Sequence, residues 1–139
     1  YESPIVDRDP IEQWSIGRVK LLGDAAHPMH PIGSNGASQA IINGRVLALH
    51  LATLDDPEGA LWAYEDDCRP PTSRIGLANR GNGPDQAMQL AEERAPDVFE
   101  GLDEVLAPEE LAAIAEQYEM VAGFDKNELS GRASLDPPV

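Results

Sequence analysis

The chain has 139 residues, with 10 Lys and Arg against 25 Asp and Glu and a formal net charge of −15. This length suits one modest core, and the charge disfavours nucleic acid and anionic membranes as partners. The single cysteine, Cys68, excludes an internal disulfide framework and points to a reducing compartment, the cytoplasm. No run of about 18 apolar residues offers a membrane span, and no signal-peptide pattern is visible.

Residues 1–16 read as extended, punctuated by Pro4 and Pro10. Val19, Leu21 and Leu22, bounded by Gly17 and Gly23, predict a short strand over 18–23. Its near-continuous apolarity suits a strand buried on both faces, as in a parallel sheet covered by helices. Asp24 follows the carboxyl end of that strand, where open α/β sheets place their ligands. In the loop 24–34, Pro28 and Pro31 deny helix and ladder hydrogen bonds. Gly33 and Gly36 let the backbone approach something closely. From Ser38 the apolar positions Ala40, Ile41, Val46, Leu47, Ala48, Leu51 and Leu54 recur at helical spacing, predicting a helix over 35–53. The free N–H groups of residues 35–38 then point back into the loop. A carboxylate beside a helix N-terminus is the pair a nucleotide cofactor needs: an acceptor for sugar hydroxyls, and N–H donors for an electron-rich ring or a phosphate. The plainer alternative is that Asp24 only caps a turn.

Asp56-Pro57-Glu58 marks a second helix start, with Asp as cap and Pro in the first turn. Leu61, Tyr64 and Cys68 follow at helical spacing until Pro70-Pro71, which predict a kink or break and then a short helical piece over 72–80. Cys68 reads as a small core residue, and Trp14 and Trp62 as core aromatics. Gly81-Asn82-Gly83-Pro84 is a break, and helices are predicted over 85–95 and 108–121, the latter opened by Pro108-Glu109-Glu110. Beyond Gly123 the polar, Pro-terminated tail is expected to be mobile. Residues 85–139 hold 14 acids and 3 bases. They read as solvated helical faces, with a docking surface for a basic partner as the alternative.

His27 and His30 flank a proline without a third ligand nearby, so no metal site is expected; His27 is expected to hydrogen-bond the loop backbone. Arg80 suits either bidentate carboxylate recognition or neutralisation of a helix C-terminus. Ser34 and Ser38 lack a nucleophile-elbow context.

The segment GDAAHPMHPIGSNGASQAI, residues 23–41, resembles the second flavin motif of class A flavoprotein aromatic monooxygenases, the para-hydroxybenzoate and salicylate hydroxylase group. DRDP before Trp14, the AYE…RP run at 63–70 and LANRGNGP at 77–84 look like the phenazine-carboxylate monooxygenase subgroup. The resemblance implies an α/β, Rossmann-like FAD-binding fold, of which this chain is a C-terminal fragment, predominantly helical with one or two strands. Residues 1–16 would end the substrate-domain sheet and return to the cofactor domain. Residues 17–56 would carry the second FAD motif, 57–122 the C-terminal helices and 123–139 the tail. The family's GxGxxG pyrophosphate cradle does not occur in the 139 residues, so the piece alone is expected to be inactive and to bind FAD poorly.

By the same resemblance Gly23 and Asp24 form the acidic turn, with Asp24 on ribityl or ribose hydroxyls. Pro31 lines the isoalloxazine, and Gly33 lies in the loop beside it. Gly36, Ala37 and Ser38 turn their N–H groups to the flavin N1 and O2, and His30 faces the substrate. Ser38 stands where relatives often have Asn, and Asn43 where they have an acid; Asn43-Gly44 also weakens a helix by about 1 kcal/mol relative to alanine. The implied activity is hydroxylation of an aromatic or N-heteroaromatic small molecule. In it NADH or NADPH reduces FAD, O₂ adds at C4a, and the hydroperoxide oxygen is transferred to the ring. A homodimer is compatible with an apolar face left exposed. Two other readings stay open: a non-catalytic acidic helical interaction module, and a flavoenzyme of dehydrogenase or epoxidase type.

Overall fold

The computed structural model describes residues 2, 4–81, 85–95, 97, 99–123, 130–131 and 134–135. In chain order it comprises β1 (Ser15–Ile16), β2 (Val19–Lys20), a 3₁₀ turn (Gly23–Ala25), α1 (Asn35–Thr53), α2 (Pro57–Asn79), α3 (Gln86–Arg94), a second 3₁₀ turn (Leu102–Glu104) and α4 (Pro108–Ala122). Helix starts and ends fall close to the sequence expectations because their punctuation is local. Asp56 accepts hydrogen bonds from the N–H groups of Glu58 and Gly59 at 3.1 and 3.0 Å, and Pro57 occupies the first turn of α2. Gly123 ends α4 at φ 73°.

The strand expected over 18–23 is instead one arm of an antiparallel hairpin, with Ser15 opposite Lys20 and Ile16 opposite Val19. A parallel strand needs a neighbour delivered by a long crossover, and among the described residues there is none. The chain turns back on itself through Gly17, at φ 54°, and the Leu21 N–H bonds the Trp14 carbonyl at 2.9 Å. Val19 is accordingly 68% exposed rather than buried.

α2 does not break at Pro70-Pro71. It is one helix from Pro57 to Asn79, and the piece expected over 72–80 is its second half. An interior proline costs about 3 kcal/mol. The helix continues because its buried stripe, Ala60, Tyr64, Cys68, Thr72, Ile75 and Asn79, runs past the pair without losing register. Burying each large apolar member contributes about 1.5–3 kcal/mol, and α1 packs along this stripe.

Trp14, Ala26, Val46, Tyr64 and Cys68 form the core, flanked by Ile11, Leu21, Ile42, Leu47 and Leu135. The Trp14 ring lies 6.0 Å from that of Tyr64 and 5.5 Å from that of His27. Cys68 is buried as expected, and burial pushes its thiol up to about 12, which makes it a poor nucleophile. Trp62 is a correction: it points outward and is 42% exposed, lying on α2 opposite the buried stripe.

α1 departs further from its apolar pattern. Its buried positions are Asn35, Gln39, Asn43 and Val46, while Ile41 is 70% exposed. The helix therefore turns a mostly polar stripe inward, each polar member having a tertiary partner. The expected break at 82–84 and most of the tail lie outside the described residues; Leu135, within them, packs against the core. No helix among the described residues is long and apolar enough to cross a membrane.

Candidate cofactor site

The acidic turn is built by Gly23, at φ 58°. The Ala26 and His27 N–H groups both return to its carbonyl at 2.9 Å. A Cβ on Gly23 would meet the Ala40 Cβ at 3.6 Å, so the turn rests directly on α1. From outside, Arg8 Nη2 donates to the Ala25 and Ala26 carbonyls. Asp24 sits within this braced turn, exposed, with no hydrogen-bond partner for its carboxylate among the described residues.

The loop then runs past His27, which is buried. The side-chain partner of His27 is Asn43 rather than the loop backbone, Nδ2 to Nε2 at 2.7 Å. An amide N–H needs a lone pair on that ring nitrogen, which only the neutral imidazole offers. Burial acts in the same direction, lowering the His27 pKa below its ordinary value.

At its far end the loop reverses through two left-handed residues, Gly33 at φ 90° and Ser34 at φ 54°, with the Ser34 N–H on the Pro31 carbonyl at 3.0 Å. Ser34 is the N-cap of α1 but gives no side-chain capping bond. Helix geometry leaves the N–H groups of Asn35, Gly36 and Ala37 without an acceptor inside the helix, while that of Ser38 reaches the Ser34 carbonyl. α1 thus presents an uncapped positive end. Nothing lies within 4 Å of the position a Gly36 Cβ would take, and the Oδ1 of Asn35, a residue 1% exposed, has no partner.

These residues fit a bound nucleotide cofactor. A carboxylate without a hydrogen-bond partner among the described residues can accept sugar hydroxyls; three N–H groups and the open space at Gly36 can receive a polar ring edge; and the orphaned Asn35 oxygen can accept a further donor. Pro31 and Ala37 are exposed on the same loop and first turn. Gly33 differs from the expectation, because its missing Cβ makes room for protein: a Cβ there would stand 1.7 Å from the Tyr118 hydroxyl. His30 is half-buried, with its Nδ1 unpartnered and its carbonyl accepting from Asn79 Nδ2 at 3.5 Å.

Arg80, a candidate for carboxylate recognition, is already engaged: Nε donates to Asp7 Oδ2 at 2.6 Å and Nη1 to Asp9 Oδ1 at 2.7 Å. These bonds raise its pKa. No group of His, Cys, Asp or Glu among the described residues could hold a metal ion.

A family model described as FAD binding domain matches residues 6–75. The chain belongs to the FAD-binding domain family. The match contains the acidic turn, the loop and the start of α1. Over 79 residues the chain is 56% identical to a phenazine 1,6-dicarboxylic acid hydroxylase from Lysobacter antibioticus, an alignment covering 57% of this chain and 19% of the relative. It is 41% identical over 106 residues to a 3-amino-4-hydroxybenzoate 2-monooxygenase from Streptomyces platensis, covering 72% and 27%. It is 38% identical over 81 residues to a 6-hydroxynicotinate 3-monooxygenase from Bordetella bronchiseptica, covering 57% and 21%. The resemblance to the class A aromatic monooxygenases is therefore borne out, and the chain spans about a fifth to a quarter of the length of these relatives.

The sequence expectations include the Asn35 N–H but none of the side chains of Asn35, Asn79 and Tyr118, and they hold Asn43 only as a departure from the family and a weak point of the helix. One signal was present. Asn35, Gln39 and Asn43 recur every fourth residue in a helix, and amide side chains in that register line one face with hydrogen-bonding groups that need partners if it is buried.

Proposed function

We propose that this chain is the second cofactor-binding segment of an FAD-dependent, NAD(P)H-consuming monooxygenase that hydroxylates a small aromatic or N-heteroaromatic ring. The observation that carries the reading is the exposed Asp24 carboxylate, without a hydrogen-bond partner among the described residues, on a braced turn that rests on α1 at Ala40, with the uncapped start of that helix at the far end of the same loop, inside the stretch that matches the FAD-binding family. The hairpin and helices would complete an α/β, Rossmann-like cofactor domain. The names of the three relatives, one hydroxylase and two monooxygenases of carboxylated aromatic or N-heteroaromatic rings, support the substrate class. The lone, buried Cys68 suits a cytoplasmic setting.

FAD supplies the redox chemistry, with NADH or NADPH as reductant and O₂ as oxidant. The chain's own share is binding and charge. Asp24 accepts the cofactor's sugar-chain hydroxyls. The N–H groups of Asn35, Gly36 and Ala37, at the positive end of α1, favour negative charge on the pyrimidine edge of the reduced ring by about 0.3–2 kcal/mol. Pro31, exposed on the loop, would line the ring, and Ser38 and His30 would contribute at its edge, His30 toward the substrate.

The test is a visible absorption spectrum and intact mass of the full-length native protein, purified without added cofactor. Flavin bands near one equivalent support the reading. A colourless full-length protein that takes up no FAD on titration overturns it and leaves an acidic helical interaction module. Product analysis with carboxylated aromatics and N-heteroaromatics then separates hydroxylation from dehydrogenation or epoxidation.

A further inference from the structure

The acidic C-terminal half delivers one side chain to the cofactor loop. Tyr118, on α4, donates its hydroxyl hydrogen to Asn79 Oδ1 at 3.0 Å and accepts from Asn35 Nδ2. Asn79 in turn donates to the His30 carbonyl. The phenol thus joins the last residue of α2 to the first residue of α1, and through Asn79 it reaches the front of the loop. It also fills the space over Gly33, where a Cβ would overlap the hydroxyl at 1.7 Å and the ring carbon Cζ at 2.8 Å.

We infer that Tyr118 is a positioning residue for the cofactor site, setting the Gly33–Asn35 reversal and with it the direction of the α1 N–H groups. This rests on the FAD-binding reading above. The physical need is clear in the backbone. Ser34 lies in the left-handed region, which an L residue occupies only when its surroundings over-determine it, and Ser34 forms no side-chain cap that would hold it. The Ser34 N–H on the Pro31 carbonyl fixes one side of the turn, and the Tyr118–Asn35 bond fixes the other. Tyr118 lies beyond the family match at residues 6–75. Sharing the cofactor loop with other members of the family therefore does not require sharing this brace. α4 is then part of the site's architecture as well as a solvated acidic face.

Tyr118→Phe in the full-length flavoprotein tests this, with Asn79→Ser as a second route that removes the hydroxyl's acceptor and leaves α1 intact. Both variants are expected to raise the FAD dissociation constant about three- to tenfold and to shift the flavin visible bands. In the apoprotein, amide exchange at residues 33–37 is expected to quicken while that in the middle of α2 stays unchanged. A lowered melting temperature with the same dissociation constant, spectrum and local exchange in both variants would reduce Tyr118 to a packing residue and overturn the inference. If the wild-type protein binds no FAD, the functional reading fails by itself, and exchange at 33–37 alone decides whether Tyr118 sets the turn.

Discussion

Glu65 and Lys20 form an ion pair at 3.0 Å whose two side chains are 4% and 7% exposed. It ties the hairpin to α2, alongside the Ser15 hydroxyl on the Leu61 carbonyl. The other Glu65 oxygen accepts the Trp14 N–H at 2.8 Å, so one carboxylate holds both ends of the hairpin. Lys20 is further enclosed by the Tyr64 ring, with Nζ 4.6 Å from its centroid, and it donates to Ser15 Oγ. Burial lowers the Lys20 pKa against the pull of Glu65. For Glu65, burial pushes upward, but the Trp14, Ser15 and Lys20 hydrogen bonds overcome it and hold the carboxyl below its ordinary value of 4.5.

Breaking this pair leaves a buried charge uncompensated, so Glu65→Gln is expected to cost about 3–5 kcal/mol. A carboxyl lowered in the folded state adds stability that is complete above its unfolded pKa and is lost as pH falls through the folded one. Urea unfolding from pH 7 down to pH 3 should show stability declining below about 4.5, with a shallower decline in the variant. A variant with the parent's acid profile would show that Glu65 carries none of this dependence.

His27 titrates in the same sense at higher pH. Its folded pKa lies below 6.5, so its neutral form contributes stability that is lost as pH falls below that value. Asn43→Asp is expected to reverse the shift by supplying a carboxylate to the imidazole. Asn43→Leu strands the buried ring nitrogen and should cost about 1–3 kcal/mol. Two-dimensional NMR titration of the His27 ring decides between these outcomes: an unchanged pKa in Asn43→Asp would mean that the side chain at position 43 does not govern the ring.

Asp24→Ala should leave stability nearly untouched, because the side chain is exposed and makes no hydrogen bond to the described residues. Loss of a charged acceptor should weaken FAD binding in the full-length protein about 10- to 100-fold, corresponding to about 1.5–3 kcal/mol. Flavin fluorescence titration measures it. Equal affinity in parent and variant would remove Asp24 from the site.

Gly33→Ala faces two costs, a left-handed φ worth about 1–3 kcal/mol and overlap with Tyr118. The second vanishes when the phenol is removed. The substitution should therefore be less damaging in a Tyr118→Ala background than in the parent, by a double-mutant cycle in urea. Strict additivity would mean that the two residues do not meet.

The helix boundaries, the acidic turn and the flavin motif could all be read from the chain itself. Asp56 and Pro57, the glycines around Asp24 and the loop prolines act within a few residues, so their physics is complete in a short window. The sequence likewise determined membership of the flavin family, because that motif is a local arrangement of turn, loop and helix start. Three matters needed the tertiary structure. α2 continues through Pro70-Pro71 because its buried stripe is held by α1, a contact between residues far apart in the chain. The polar stripe of α1 faces inward because His27, Thr72 and Tyr118 supply its partners; the spacing of Asn35, Gln39 and Asn43 marks the stripe, but only the tertiary structure brings those partners to it. Gly33 is required by Tyr118, 85 positions away, whose hydroxyl fills the space where any other side chain would begin.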